Sequence, residues 1–115
     1  MKISIITVVY NRAATIERAI RSVLNQSYNN IEYIIIDGAS TDGTVDILDQ
    51  YKKSVHAIVS EKDKGMYDAL NKGIRMASGD VVGILHADDE FASDLVIATI
   101  AERFAANVET EAVYG

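Results

Sequence analysis

Three acids stand together at Asp88-Asp89-Glu90, just past the apolar run Val81 to Leu85 and the pair His86-Ala87. Adjacent like charges repel, and no lysine or arginine lies beside them in sequence to relieve the repulsion. A divalent cation would. Magnesium and manganese take sites of one or two carboxylates completed by water and phosphate oxygens, which suits a diphosphate ligand. The same residues could instead form a solvated acidic turn entering the next helix, whose amino-terminal dipole favours negative charge. His86 is either a further ligand or a hydrogen-bonded neighbour.

Other apolar runs also end in residues able to do chemistry. Asp37 follows Ile31 to Ile36 and opens Gly38-Ala39-Ser40-Thr41-Asp42-Gly43-Thr44. Its carboxylate can accept from ligand N–H or hydroxyl groups, with Gly38 allowing close backbone approach. It can equally brace its own turn, while Asp42 caps the following helix. After Val55 to Val59 comes the charged loop Ser60 to Gly65, from which Asp63 or Lys64 could reach the same ligand. After Ile3 to Val9 the chain reads Tyr10-Asn11-Arg12-Ala13-Ala14-Thr15 without a glycine, which argues against a dinucleotide turn and a P-loop. Asn11 or Thr15 is placed there as a helix cap.

Positioning these groups requires strands alternating with helices. Ile3 to Val9 and Ile31 to Ile36 are apolar at nearly every position, as central strands covered on both faces must be. Helical spacing links Ile16, Ala19, Ile20, Val23 and Leu24, then Val45, Ile47, Leu48 and Tyr51. A third stripe runs through Met66, Ala69, Leu70, Gly73, Ile74 and Ala77 to a left-handed glycine stop at Ser78-Gly79. A fourth holds Ile97, Ala98, Ile100, Ala101, Phe104 and Ala105, with Ser93 as N-cap, and Glu111 to Gly115 opens a fifth strand. The expected fold is a three-layer α/β/α sandwich with a mainly parallel, Rossmann-like sheet, right-handed crossovers and the strand carboxyl ends along one edge. Ligands bind at that edge, where strand order reverses.

With 115 residues, no proline and no cysteine, the composition is that of one globular domain, and thiol catalysis and thiolate metal sites are excluded. Seventeen acids against eleven bases leave a charge of −6, which speaks against nucleic acid as a partner. It also means that a phosphorylated ligand needs a metal ion or a few placed cations to offset repulsion. Met1 to Val9 reads as a strand rather than a signal peptide, since Tyr10-Asn11-Arg12 follows without a cleavage pattern. No apolar run approaches the roughly 20 residues that span a bilayer. A soluble, cytoplasmic domain is expected.

The segments Ser4 to Asn11, Ile36 to Thr44, Asp63 to Gly73 and Ser78 to Asp89, in this order, resemble the nucleotide-binding part of the family 2 glycosyltransferases, which have the GT-A fold. The likeness covers nearly the whole chain, so residues 1–115 are expected to be the nucleotide-sugar-binding amino-terminal part of such a domain. The resemblance implies a nucleotide-sugar donor, most often a UDP-sugar. It puts Thr7, Val9 and Asn11 on the donor side, with Thr7 and Val9 lining the nucleoside pocket and Asp37 on the uracil ring. Asp63 and Lys64 would lie close to the donor, Asp88 near the ribose or sugar, and Asp89 on Mg2+ or Mn2+. Inverting transfer to a saccharide or lipid-linked saccharide acceptor is implied, the latter suggesting peripheral association with the inner face of a membrane. His86 stands where the family's acidic motif often begins with an acid. The family's general base and acceptor-binding segments lie beyond Gly115, so the resemblance names no catalytic base here, and the 115 residues read as the front part of a longer enzyme. An unpaired edge at Tyr114-Gly115 would invite a homodimer. One rival is a non-catalytic nucleotide-binding or interaction module. Another is a phosphoacceptor receiver, which needs acids where this chain has Tyr10-Asn11 and Ser60.

Overall fold

The computed structural model describes residues 1–106 and 112–114. Its elements are β1 (Ile3–Val9), α1 (Ile16–Leu24), β2 (Ile31–Asp37), α2 (Thr44–Tyr51), β3 (Ala57–Ser60), α3 (Met66–Met76), β4 (Val81–Ile84), α4 (Val96–Ala106) and β5 (Ala112–Tyr114). Every strand pair is parallel and the order across the sheet is β3-β2-β1-β4-β5. The chain steps outward from β1 to β3, then returns to lay β4 on the other side of β1. Order therefore reverses between β1 and β4, and a parallel sheet opens its ligand crevice at such a point.

β1 and β2 are central because their isoleucines and valines fill both faces. Alternation along β1 sends Ile3, Ile5 and Val9 into the larger core with Ile16, Ile20, Leu48 and Ile97 from α1, α2 and α4. Ile6 joins Ile34, Ile36 and Ala69 of α3 in the smaller core on the opposite face. Three layers result, as expected. The β4 to β5 step, however, runs opposite to the β1 to β2 step while α4 packs on the same face as α1, so this crossover has the opposite hand to that of α1. The uniform handedness expected from the rule is corrected here. The long segment between β4 and α4 carries the chain over to the α1 face, where α1 side chains hold it.

Other local expectations also shift. Met66 and Ile74 are exposed; α3 fully buries only the small residues Ala69 and Gly73, with Leu70 half-buried against the same core. A Cβ on Gly73 would sit 2.6 Å from Ile6 Cγ2. Gly79 is not left-handed, and α3 ends at an extended Ala77. Glycine is required at 79 by crowding, since a Cβ there would lie 2.7 Å from Ser4 N. β3 begins at Ala57 rather than Val55, because His56 Nδ1 accepts from Tyr33 N (3.2 Å) before the ladder starts. Ser93 Oγ accepts from Leu95 N at 3.2 Å, just ahead of α4. The side chains of Phe104 and Ala105, and the strand expectation at Glu111 and Gly115, fall outside the described residues. No helix among the described residues is long and apolar enough to cross a membrane.

Candidate functional site

A cleft of about 420 Å3 opens at the carboxyl ends of β1 and β4, lined by Val8, Val9, Tyr10, Arg12, Asp63, Met66, His86, Ala87 and Asp88. It gathers residues from the loops after β1, β3 and β4 at the point where strand order reverses. Of the expected residues, Val9, Asp63 and Asp88 are on its wall. Asp89, beside Asp88, is exposed, its N–H given to His86 O (3.0 Å) and its Oδ1 accepting from Glu90 N (2.8 Å). Among the described residues neither Asp88 nor Asp89 is paired with a lysine or arginine. No cluster of three histidine or acidic side chains capable of holding a metal occurs among them. Two neighbouring, unpaired carboxylates at a cleft rim nevertheless fit magnesium or manganese, whose shell is completed by water and ligand phosphate.

Thr7 does not line the cleft. It is fully buried, with Oγ1 2.8 Å from the hydroxyl of buried Tyr33, because its place in the strand alternation turns it into the larger core. Burial pushes the Tyr33 hydroxyl pKa up, against the lowering effect of that hydrogen bond. Lys64 is exposed and lies off the lining set, while its backbone N–H donates to Asp68 at 3.0 Å and holds that carboxyl below its usual range.

Asn11 and Asp37 build the loops behind the cleft. Asp37 has no exposed surface; Oδ1 accepts from Ser40 Oγ (2.5 Å) and Oδ2 from Ser40 N (2.9 Å) and Ser60 Oγ (2.8 Å). Asp37 thus braces its own turn, the second of its two readings from sequence. Asn11, at φ 50°, accepts from Thr41 N through Oδ1 (2.8 Å), and its own N–H donates to Ser40 Oγ (2.8 Å). Arg12 N donates to Thr44 Oγ1 (3.1 Å) and Ala13 N to Asp42 Oδ2 (3.1 Å). Asp42 also takes the first amide of α2, Thr44 N, at 3.1 Å, and Thr44 Oγ1 lowers its pKa. Gly38 lets Asp63 reach this assembly, since a Cβ there would stand 2.9 Å from Asp63 Oδ2. Lys72 Nζ bonds Glu61 at 2.9 Å, which raises the lysine pKa and ties α3 to the loop carrying Asp63.

Sequence reasoning passed over Tyr10, Arg12 and Met66 as cleft residues. For Arg12 a signal existed: it is the first cation beyond β1 in an acidic chain. Its guanidinium Nη1 donates to Asn11 O at 3.1 Å and, among the described residues, meets no carboxylate. The cleft therefore gathers Arg12 with Asp63 and Asp88, groups able to hold an anion directly and through a cation.

The fold and sequence both have known counterparts. The chain is 42% identical over 95 residues to the Bacillus subtilis glycosyltransferase TuaG, whose name links it to teichuronic acid biosynthesis, covering 80% of this chain and 38% of that protein. It is 36% identical over 114 residues to the uncharacterized glycosyltransferase Rv1514c of Mycobacterium tuberculosis, covering 98% of this chain and 44% of that one. It thus spans less than half the length of these relatives. Among solved structures, S. aureus TarS 1–349 in complex with UDP-GlcNAc superposes with a TM-score of 0.84 at 22% identity, over 94% of this chain and 32% of that chain. The mannosyltransferase PcManGT from Pyrobaculum calidifontis, in complex with GDP-Man and Mn2+, gives 0.83 at 28% identity, over 90% and 32%. A family model described as "Glycosyl transferase family 2" matches residues 4–113, and the chain belongs to that family.

Proposed function

We propose that the cleft between β1 and β4 binds a nucleotide-diphosphate sugar, a UDP-sugar by the sequence resemblance, and that the protein transfers the sugar to a hydroxyl acceptor with inversion. The observation that carries this reading is the meeting of Arg12, Asp63 and Asp88 in one cleft at the reversal of strand order. The base is assigned to the Val9-Tyr10 end, beside Asp37, the register partner of Val9, whose carboxylate would meet a ring N–H only once the Ser40 hydroxyl had moved off it. Arg12 faces the diphosphate and offsets its charge in a chain of net charge −6. Asp88 lies toward the ribose or sugar, and Asp89 would hold Mg2+ or Mn2+. Such a cation would neutralise charge on the leaving diphosphate. No residue of the cleft is assigned as the base that deprotonates the acceptor, which we propose to be a saccharide or lipid-linked saccharide. Support comes from family membership and from the Mn2+ and GDP-Man of the mannosyltransferase neighbour.

Titration calorimetry with UDP, with and without Mn2+, tests the reading. Binding should require the metal and weaken at least about tenfold in Asp89→Ala, the loss of a charge-assisted contact. Binding indifferent to Mn2+, or unchanged in Asp89→Ala, overturns it.

A further inference from the structure

The segment between β4 and α4 carries the acidic turn, and the side chains that tether its backbone come from α1 and its flanks. Thr15 Oγ1 donates to Ala87 O at 2.9 Å. Ser22 Oγ accepts from Phe91 N at 3.1 Å. Gln26 Nε2 donates to Ser93 O at 2.7 Å, while its Oε1 accepts from Ile97 N at 2.9 Å. Thr15 and Ser22, seven residues apart, fall on one face of α1, and Gln26 follows just past its end. Thr15 occupies the N-cap position of α1, where a hydroxyl ordinarily accepts a hydrogen bond from its own helix, yet it makes no such bond. Its hydroxyl serves the β4 loop instead. The first two tethers bracket Asp88, Asp89 and Glu90, three exposed acids whose mutual repulsion would otherwise spread the turn. Ala87 and Asp88 are cleft wall, so whatever fixes Ala87 fixes one side of the site.

We infer that Thr15 and Ser22 are positioning residues for the nucleotide site: they hold the acidic turn where a cation on its carboxylates can meet a diphosphate facing Arg12. This rests on the proposed function above. It goes further by assigning a role at the site to a helix that supplies no side chain to the cleft.

The test compares Thr15→Val, Thr15→Ser and Ser22→Ala with the parent chain, measuring UDP affinity with and without Mn2+ and checking folding by circular dichroism. Thr15→Val keeps the side-chain shape and removes only the hydroxyl. It should cut the Mn2+-dependent gain in affinity about three- to tenfold, the weight of one hydrogen bond, and leave metal-free affinity within about twofold. Ser22→Ala should do the same, and Thr15→Ser should restore the gain. A loss equal with and without Mn2+ marks a general structural effect and overturns the inference, as does a full gain in both Thr15→Val and Ser22→Ala. If the parent chain itself shows no Mn2+-dependent binding, the proposed function fails first and the inference falls with it. If Thr15→Val does not fold, Ser22→Ala and Thr15→Ser decide between these outcomes.

Discussion

Replacing Glu32 by glutamine keeps the side chain's shape and removes one charge from the sheet end opposite the cleft. Glu32 Oε1 accepts from Ser4 Oγ and Ser78 N, both at 2.8 Å, and Oε2 accepts from Ser78 Oγ at 2.8 Å with Lys2 Nζ at 3.3 Å. Burial alone would raise the carboxyl pKa; the Ser78 N–H, the two serine hydroxyls and Lys2 outweigh it and hold the group at about 2. Because the folded pKa lies below the unfolded one, the stabilisation is complete above the unfolded value of 4.5 and is lost as pH falls through about 2. The gap between those values corresponds to roughly 3 kcal/mol. Screening at Lys2, 38% exposed, trims this to about 2 kcal/mol. At this chain length Glu32→Gln should lower the Tm by about 8 °C at pH 7. At pH 3 the difference should shrink to roughly half or less, since the wild-type carboxylate has then lost much of its advantage. Thermal unfolding followed by circular dichroism at both pH values reads this directly. An equal Tm difference at pH 7 and pH 3, or none at pH 7, would refute the account.

Gly73→Ala forces a methyl to within 2.6 Å of Ile6 Cγ2 in a fully buried position. Overpacking of about 1–3 kcal/mol should exceed the helix-propensity gain of about 1 kcal/mol, and urea unfolding should show a lower midpoint. Ala39 sits at φ 63°, where a Cβ is strained, so Ala39→Gly should stabilise the chain by roughly 1 kcal/mol in the same assay. A midpoint that falls instead would place the strain elsewhere.

The central strands were legible because isoleucine and valine at nearly every position have no use except burial on both faces. α1 was legible for the matching reason, with Ile16, Ala19, Ile20 and Val23 all buried. α3 was not. Its contact with β1 depends on Ala69 and Gly73 being small, whereas Met66 and Ile74, which create the apolar period, point outward. Asp63 and Asp88, singled out from the segments that follow β3 and β4, line the same cleft. The side-chain environment of Thr7 was not legible, since strand order and alternation decide which side chain turns inward, and only the fold shows that its hydroxyl meets Tyr33. The opposite-handed α4 crossover had no sequence signal beyond the length of the segment before it.

The loops after β1 and β2 are stitched together, Asn11, Arg12 and Ala13 each giving a backbone N–H to a side chain of the 40–44 stretch. Neither loop can change length alone, because an insertion in one pulls three amides off their acceptors in the other. Any change of length in one of these loops must therefore be matched by a change in the other.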